Sequence, residues 1–167
     1  VTSNVDGHFQ KAGFAEERIC EVHGSIHHLQ CLTPCSGAIW RNEESVPVDL
    51  ETMRAQRVPA CPACGGVARP NILMFGDWSW LSDRSDRQSE RCEAFVERHV
   101  QDPMVVVELG AGTAIPTIRA LGERLGRRPG CLVVRLNPRE PEIHAPHISL
   151  PCGALEGLCG IEHELRR

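Results

Sequence analysis

Apolar residues fall along the 167-residue chain in short runs, and the pattern of those runs changes about halfway. Thr2–Asp6 reads as the end of a buried strand entering a loop. Phe9–Ala12 reads as a short amphipathic turn stopped at Gly13, and Ile19–Val22 as an apolar lead into His23-Gly24-Ser25. Ile26–Cys31 predicts a strand. From Ser36 to Pro59 the sequence is mixed and polar, with Pro47 and Pro59 as breakers. Ile72–Phe75 predicts a compact apolar strand. Beyond it, Arg84–Val100 has helical spacing, with Cys92, Phe95 and Val96 on one side. Met104–Leu109 is a continuous apolar run interrupted only by Glu108, as expected of a parallel strand buried on both faces. It breaks at Gly110-Ala111-Gly112. Pro116 stands where a first helical turn begins, and Ile118, Leu121 and Leu125 form that helix's apolar side. Cys131–Leu136 predicts a second buried strand, Ile148–Leu150 a third, and Ala154–Leu165 a closing helix.

Strand, glycine-rich loop, helix and strand, in that order, predict an α/β fold with a partial Rossmann-like parallel sheet. Met104–Leu109 and Cys131–Leu136 should be adjacent and parallel, joined by a right-handed crossover through an Ile115–Leu125 helix. The stretch from 25 to 75 reads as an insertion stapled by cysteines, set into a domain formed by 1–24 and 76–167.

Charge narrows the function classes. The net charge is −4, Lys11 is the only lysine, and the arginines are scattered. No basic stripe is available to neutralise phosphates, which argues against nucleic-acid binding. No apolar run approaches the length that spans a bilayer, and no charged-then-apolar leader is visible. The expected setting is therefore the cytoplasm, away from membranes. The first residue is Val1 and the sequence enters directly on a motif, so a chain cut upstream is expected.

Nine cysteines change the picture more. Cys20, Cys92, Cys131, Cys152 and Cys159 are isolated, but Cys31-x3-Cys35 and Cys61-x2-Cys64 are close pairs. Two such pairs predict a tetrahedral four-sulfur zinc site, with Gly65-Gly66 giving the tight turn after the second. Four sulfurs leave no open coordination position, so this zinc holds structure. Free or disulfide-bonded thiols are the alternative, and His27 and His28 lie near enough to substitute as ligands.

Two further segments carry polar chemistry: Thr2-Ser3-Asn4-Val5-Asp6-Gly7 and Glu21-Val22-His23-Gly24-Ser25. Each alone is weak, because Asn and Asp at a strand end are commonly turn formers and a lone His is commonly structural. Taken with the zinc pairs, they resemble the sirtuin family. Its motifs are Thr-Gln-Asn-Ile-Asp-Gly and Leu-His-Gly-Ser, with the histidine eight residues before the first zinc cysteine, the separation of His23 and Cys31. Arg69-Pro70-Asn71-Ile72-Leu73-Met74-Phe75-Gly76-Asp77 resembles the family's Arg-Pro-x-Val-Val-x-Phe-Gly-Glu. Leu109-Gly110-Ala111-Gly112 stands where the family has Ile-Gly-Thr-Ser, and Leu136-Asn137 where it has Ile-Asn.

The resemblance implies an NAD-dependent protein lysine deacetylase or deacylase that releases nicotinamide and O-acyl-ADP-ribose, with NAD and Zn2+ as cofactors and an acyl-lysine protein or peptide as substrate. It implies that Asn4 and Asp6 line the nicotinamide pocket with Val5 packing beside them, that Ser3 stands where the family's Gln bonds the ribose, and that His23 is the general base. An imidazole suits that task because its pKa lies near working pH. Gly110, Ala111 and Gly112 would let backbone approach the dinucleotide. Asn137 would contact the adenosine ribose, and Cys152 the adenine edge. Leu73 and Phe75, on one side of an alternating strand, would line an acyl-lysine tunnel or simply pack in the core.

Departures from the family pattern are Ser3 for Gln, Ala111 and Gly112 for hydroxyl residues, and the Asp77-Trp78-Ser79-Trp80 sequel. They suggest a divergent bacterial-type branch. The family's Gly-Ala-Gly phosphate loop and its Phe-Arg segment have no counterpart here. Two other readings compete: an NAD glycohydrolase or ADP-ribosyltransferase of the same fold, and a non-catalytic zinc-binding module for a partner.

Overall fold

A computed structural model describes residues 1–167. The chain divides into two compact units, Val1–Val96 and Glu97–Arg167. Its elements are α1 (His8–Lys11), β1 (Gly24–Cys31), β2 (Ile39–Arg41), β3 (Val48–Asp49), β4 (Arg54–Ala55), β5 (Ala68–Ile72), α2 (Asp83–Arg98), β6 (Met104–Leu109), α3 (Thr117–Gly126), β7 (Cys131–Leu136), β8 (Ile148–Leu150) and α4 (Ala154–Leu165).

The first unit is built on an antiparallel sheet in the order β2-β1-β5, beside a small β3-β4 ladder. Its core is small: Ile19, Cys20, Leu29, Cys31, Cys61 and Ala68. Pairing of β1 with β5 jumps from Ser25↔Asn71 to Leu29↔Pro70, so Ile26, His27 and His28 bulge out of that ladder. Beneath the sheet lies a polar core. The Asn71 amide donates to Gln30 Oε1 (2.8 Å) and to the Leu81 carbonyl (2.8 Å). Gln30 donates in turn to the Ser79 carbonyl (2.7 Å).

The expected Ile72–Phe75 strand is not formed. β5 ends at Ile72, and the ladder closes with Leu73 N donating to the His23 carbonyl (2.9 Å). Gly76 at φ 68° then turns the chain, Asp77 N donates to the Met74 carbonyl (3.2 Å), and the Asp77 carboxylate returns to Arg69 (2.7 Å). That ion pair holds the turn where a continued strand would have to pass.

Helix α2 forms as expected, and its apolar side is not its buried one. Its buried positions are Ser85 and Gln88, while Phe95 is exposed.

The second unit is a parallel sheet in the order β6-β7-β8. β6 and β7 pair in register from Met104↔Cys131 to Leu109↔Leu136, with α3 as the connection between them. Val133 and Leu136 are fully buried. Glu108, the polar interruption in β6, lies directly across from Arg135 and bonds it twice, at 2.5 and 3.1 Å. α3 passes so close above this pair that a Cβ on Gly122 would sit 2.5 Å from the Glu108 carboxylate.

β6 is not buried on both faces. Val105, Val107 and Leu109 are 63%, 45% and 39% exposed, because no element of the unit covers that side of the strand. Periodicity marks apolar character on both faces but does not say which residues supply the cover.

Candidate functional site

Four sulfurs converge in the first unit. The Sγ atoms of Cys31, Cys35, Cys61 and Cys64 all lie within 4.8 Å of one another. Cys31 to Cys64 and Cys35 to Cys61 are each 3.7 Å apart. A zinc–sulfur tetrahedron with bonds of about 2.3 Å has edges of about 3.8 Å, so the donor set fits zinc in number, chemistry and spacing. No disulfide is present.

The second pair is shaped by its own backbone. Cys61 N donates to the Gly66 carbonyl (2.6 Å) and Gly65 N to the Cys61 carbonyl (2.8 Å), with Gly65 at φ 72°. Contacts with Cys64 and Cys61 push the Cys35 thiol up to about 12, whereas the backbone N–H groups of Cys64 and Ala63 draw Cys61 down to about 7. His27 and His28 stand outside the cluster. His27 Nε2 meets the Asp6 carbonyl (3.0 Å), and burial together with the Arg84 charge lowers the His28 pKa.

The same unit joins the two polar segments. Thr2 forms a parallel bridge with Glu21: Thr2 N donates to the Cys20 carbonyl (2.8 Å) and Val22 N to the Thr2 carbonyl (3.0 Å). The β1 bulge completes the link. Ile26 N donates to the Val5 carbonyl (2.9 Å), and the His27 ring packs against Gly7 so closely that a Cβ there would lie 2.6 Å from it. Asn4 is exposed, while Ser3, Val5 and Asp6 are half-buried. The Asp6 carboxylate accepts from His8 N (3.0 Å).

His23 is half-buried in the turn that Gly24 N closes onto the Glu21 carbonyl (3.0 Å). Gly24 takes φ 79° where a Cβ would meet the Asn71 carbonyl oxygen at 2.0 Å, so only glycine fits after this histidine.

Leu73 and Phe75 do not share one face of a strand, because the strand has ended. Nor are they core residues. Phe75 is 94% exposed and, two residues past the Gly76 turn, Trp78 is 98% exposed.

In the second unit, Gly110 at φ 66° follows β6, its N–H donating to the Leu136 carbonyl (2.9 Å). A Cβ there would meet nothing within 4 Å, so the loop backbone is open to a large ligand. Asn137 braces this loop. Its amide donates to the Ala111 carbonyl (3.1 Å), and its Oδ1 accepts from the N–H groups of Arg139 (2.9 Å) and Glu140 (3.0 Å). Cys152 N donates to the Leu150 carbonyl (2.9 Å) just past β8.

The residues that sequence reasoning missed are Glu140 and Thr113. The Glu140 carboxylate accepts from Thr113 N (2.8 Å) and Thr113 Oγ1 (2.7 Å), and these bonds hold its pKa below the ordinary value. Nothing in local spacing announces a contact across 27 residues.

The Sir2 family profile matches residues 1–98. With the four-cysteine cluster, the paired polar segments and the parallel sheet in hand, the chain belongs to the Sir2 family. It is 33% identical over 160 residues to the NAD-dependent protein deacylase of Thermus thermophilus, covering 95% of this chain and 54% of that one. It is 32% identical over 148 residues to NAD-dependent protein deacylase 1 of Pseudomonas aeruginosa, covering 87% and 53%. The chain thus spans about half the length of the curated relatives it matches.

Among solved structures it shares the fold of a sirtuin studied for substrate affinity (TM-score 0.66, 21% identity, 98% of this chain and 60% of that one). It also shares the fold of a Sir2 homologue in complex with NAD (TM-score 0.63, 19% identity, 99% and 57%).

Proposed function

We propose that this chain carries the zinc lobe and the base-bearing turn of an NAD-dependent protein lysine deacylase. The observation that supports this best is the bridge between Thr2 and Glu21, because it draws the Ser3–Asp6 segment and His23 onto one backbone frame. The matched deacylases support the same reading.

NAD, when bound, supplies a ribose carbon from which nicotinamide can leave and to which the acyl oxygen of a modified lysine can bond. The residues of this chain would do the rest. Asn4 and Asp6, with Ser3 and Val5 beside them, would hold and orient the nicotinamide amide. His23 would accept the proton of a ribose hydroxyl, freeing that oxygen to attack the acyl carbon. The backbone of Gly110, Ala111 and Gly112, open at Gly110, would lie along the dinucleotide, with Asn137 and Cys152 serving its adenosine end. Leu73 and Phe75, exposed after β5, would meet the apolar stem of the acyl-lysine.

The zinc held by Cys31, Cys35, Cys61 and Cys64 would keep β1 and β5 in register and take no part in bond making. In functional terms 25–75 would act as the metal-braced module, and 1–24 with 76–167 as the NAD-binding part. No helix is long and apolar enough to cross a membrane, and cysteines that form no disulfide suit the reducing cytoplasm.

The test is turnover of an acetyl-lysine peptide by His23→Ala. Deacylation should fall on the order of 10²–10⁴-fold, the usual contribution of a general base. Zinc content and fold should stay unchanged. Near-parental turnover would make His23 structural and overturn the assignment.

A further inference from the structure

We propose that the first two turns of α2 form a positioning clamp for His23, with Arg84, Ser85 and Gln88 acting through Glu21. The proposal rests on His23 being the base of the deacylase reading above.

Three ties run from the helix to one residue. The Glu21 N–H donates to Gln88 Oε1 (2.9 Å), Ser85 Oγ donates to the Glu21 carbonyl (2.9 Å), and Arg84 Nη2 reaches the Glu21 carboxylate (2.5 Å). Donor, acceptor and side chain of Glu21 are all held by α2, and the residue is fully buried.

The same Glu21 carbonyl also accepts Gly24 N (3.0 Å), closing a four-residue turn in which His23 is third. From the other side, Leu73 N holds the His23 carbonyl (2.9 Å) and the Asn71 carbonyl leaves no room for a side chain at residue 24. The turn is gripped by α2 at its first residue, and by Leu73 and the Asn71 carbonyl of β5 at its last two. The backbone that carries the imidazole is therefore held at both ends of the turn.

The composition of the clamp argues against a purely stabilising role. The buried positions of α2 are Ser85 and Gln88, where apolar residues would contribute more to stability. Arg84 Nη1 is buried without a partner, so the ion pair is incompletely satisfied. A buried, incompletely bonded ion pair is a poor source of net stability. What this arrangement does deliver is a fixed backbone path two residues from His23. Proton transfer is sensitive to such placement, a misplacement of about 1 Å costing on the order of 10²-fold in rate.

The decisive variant is Gln88→Leu, which keeps the size and removes the acceptor for Glu21 N–H. Two steps are read separately: exchange of labelled nicotinamide into NAD, which needs the acyl oxygen and the nicotinamide pocket, and formation of acylated ADP-ribose, which needs the base. Product formation should fall roughly 10- to 100-fold, the scale expected for a displaced catalytic group. Exchange, both KM values and zinc content should hold. Gln88→Glu, which retains an acceptor oxygen, should restore most of the product rate. Parental product formation in Gln88→Leu, or an equal loss of both steps, overturns the clamp.

His23→Ala measured alongside separates the two levels of inference. If it keeps turnover, the base assignment fails. If it is dead while Gln88→Leu is normal, the clamp alone fails. Should the chain show no turnover, the ring resonances of His23, assigned by their loss in His23→Ala, decide. The clamp requires them to shift or split in Gln88→Leu, and an unchanged ring spectrum contradicts it.

Discussion

Each of the two units buries a carboxylate against an arginine, and the two pairs are built differently. In the second unit Glu108 and Arg135 face each other across parallel strands, share two bonds, and leave the third guanidinium nitrogen to the Glu142 carbonyl (2.6 Å). A second carboxylate, Glu123 of α3, lies 3.7 Å from the same guanidinium, so the arginine ties the helix to the sheet. In the first unit Glu21 and Arg84 share one short bond, Arg84 leaves a buried nitrogen unused, and the backbone of Glu21 is tied to the helix instead. The pair of Glu108 and Arg135 is bonded on both sides, whereas that of Glu21 and Arg84 leaves part of its guanidinium unbonded and is tied to its neighbours through backbone instead. The units also differ in what closes them: the first gathers four cysteines at the end of its antiparallel sheet, whereas the second packs α3 on its parallel sheet.

Metal removal should separate the units most sharply. Structural zinc contributes about 10–16 kcal/mol of apparent binding free energy, much of it folding energy. Cys61→Ser, or a strong chelator, should abolish the 1:1 zinc stoichiometry and expose the amides of β1 and β5 to rapid hydrogen exchange, while β6 and β7 keep their protection. Equal loss in both units would show that the division is not energetic. Metal analysis and exchange mass spectrometry read both outcomes.

The two ion pairs give the next largest contrast. Arg135→Met alone leaves Glu108 buried and unpaired, and should destabilise the second unit by about 3–5 kcal/mol. Combining it with Glu108→Leu should recover most of that loss in denaturant titration, because apolar replacement of a whole buried pair is commonly neutral. The equivalent double replacement at Glu21 and Arg84 should restore stability without restoring deacylation.

The smallest effect concerns the glycine loop. Bonds from Thr113 hold the Glu140 carboxyl below its ordinary 4.5. A carboxyl lowered on folding stabilises the folded loop above its unfolded pKa, and that contribution is lost as pH falls through the lowered value. The Thr113 amide should therefore lose protection only in acid, below the usual carboxylate range. Glu140→Gln should remove that transition, which an amide NMR titration would detect.

Much of this was legible in the sequence, for reasons that can be named. The zinc ligands show themselves because two close cysteine pairs are a local signal. The β6-α3-β7 unit shows itself because parallel strands are apolar runs broken by glycine. Glu108 looked like a lone blemish, yet it is the fifth residue of β6 and Arg135 is the fifth of β7, a correspondence that parallel register makes readable. Other features depend on contacts no local pattern carries. The end of β5 at Ile72 is set by Arg69 and Asp77, which lie eight positions apart. The polar buried face of α2 is set by Glu21, more than sixty residues earlier. Periodicity also overstated burial: it read β6 as covered on both sides, whereas cover is a property of neighbouring elements.

The central claim is that the Sir2 frame here performs deacylation rather than simple cleavage of NAD. The most direct measurement follows both products from an acetyl-lysine peptide and NAD by mass spectrometry. The account predicts one acylated ADP-ribose for each nicotinamide released, with both dependent on the peptide. Nicotinamide released without acylated ADP-ribose, or at the same rate when the peptide is left out, would contradict it and identify an NAD glycohydrolase.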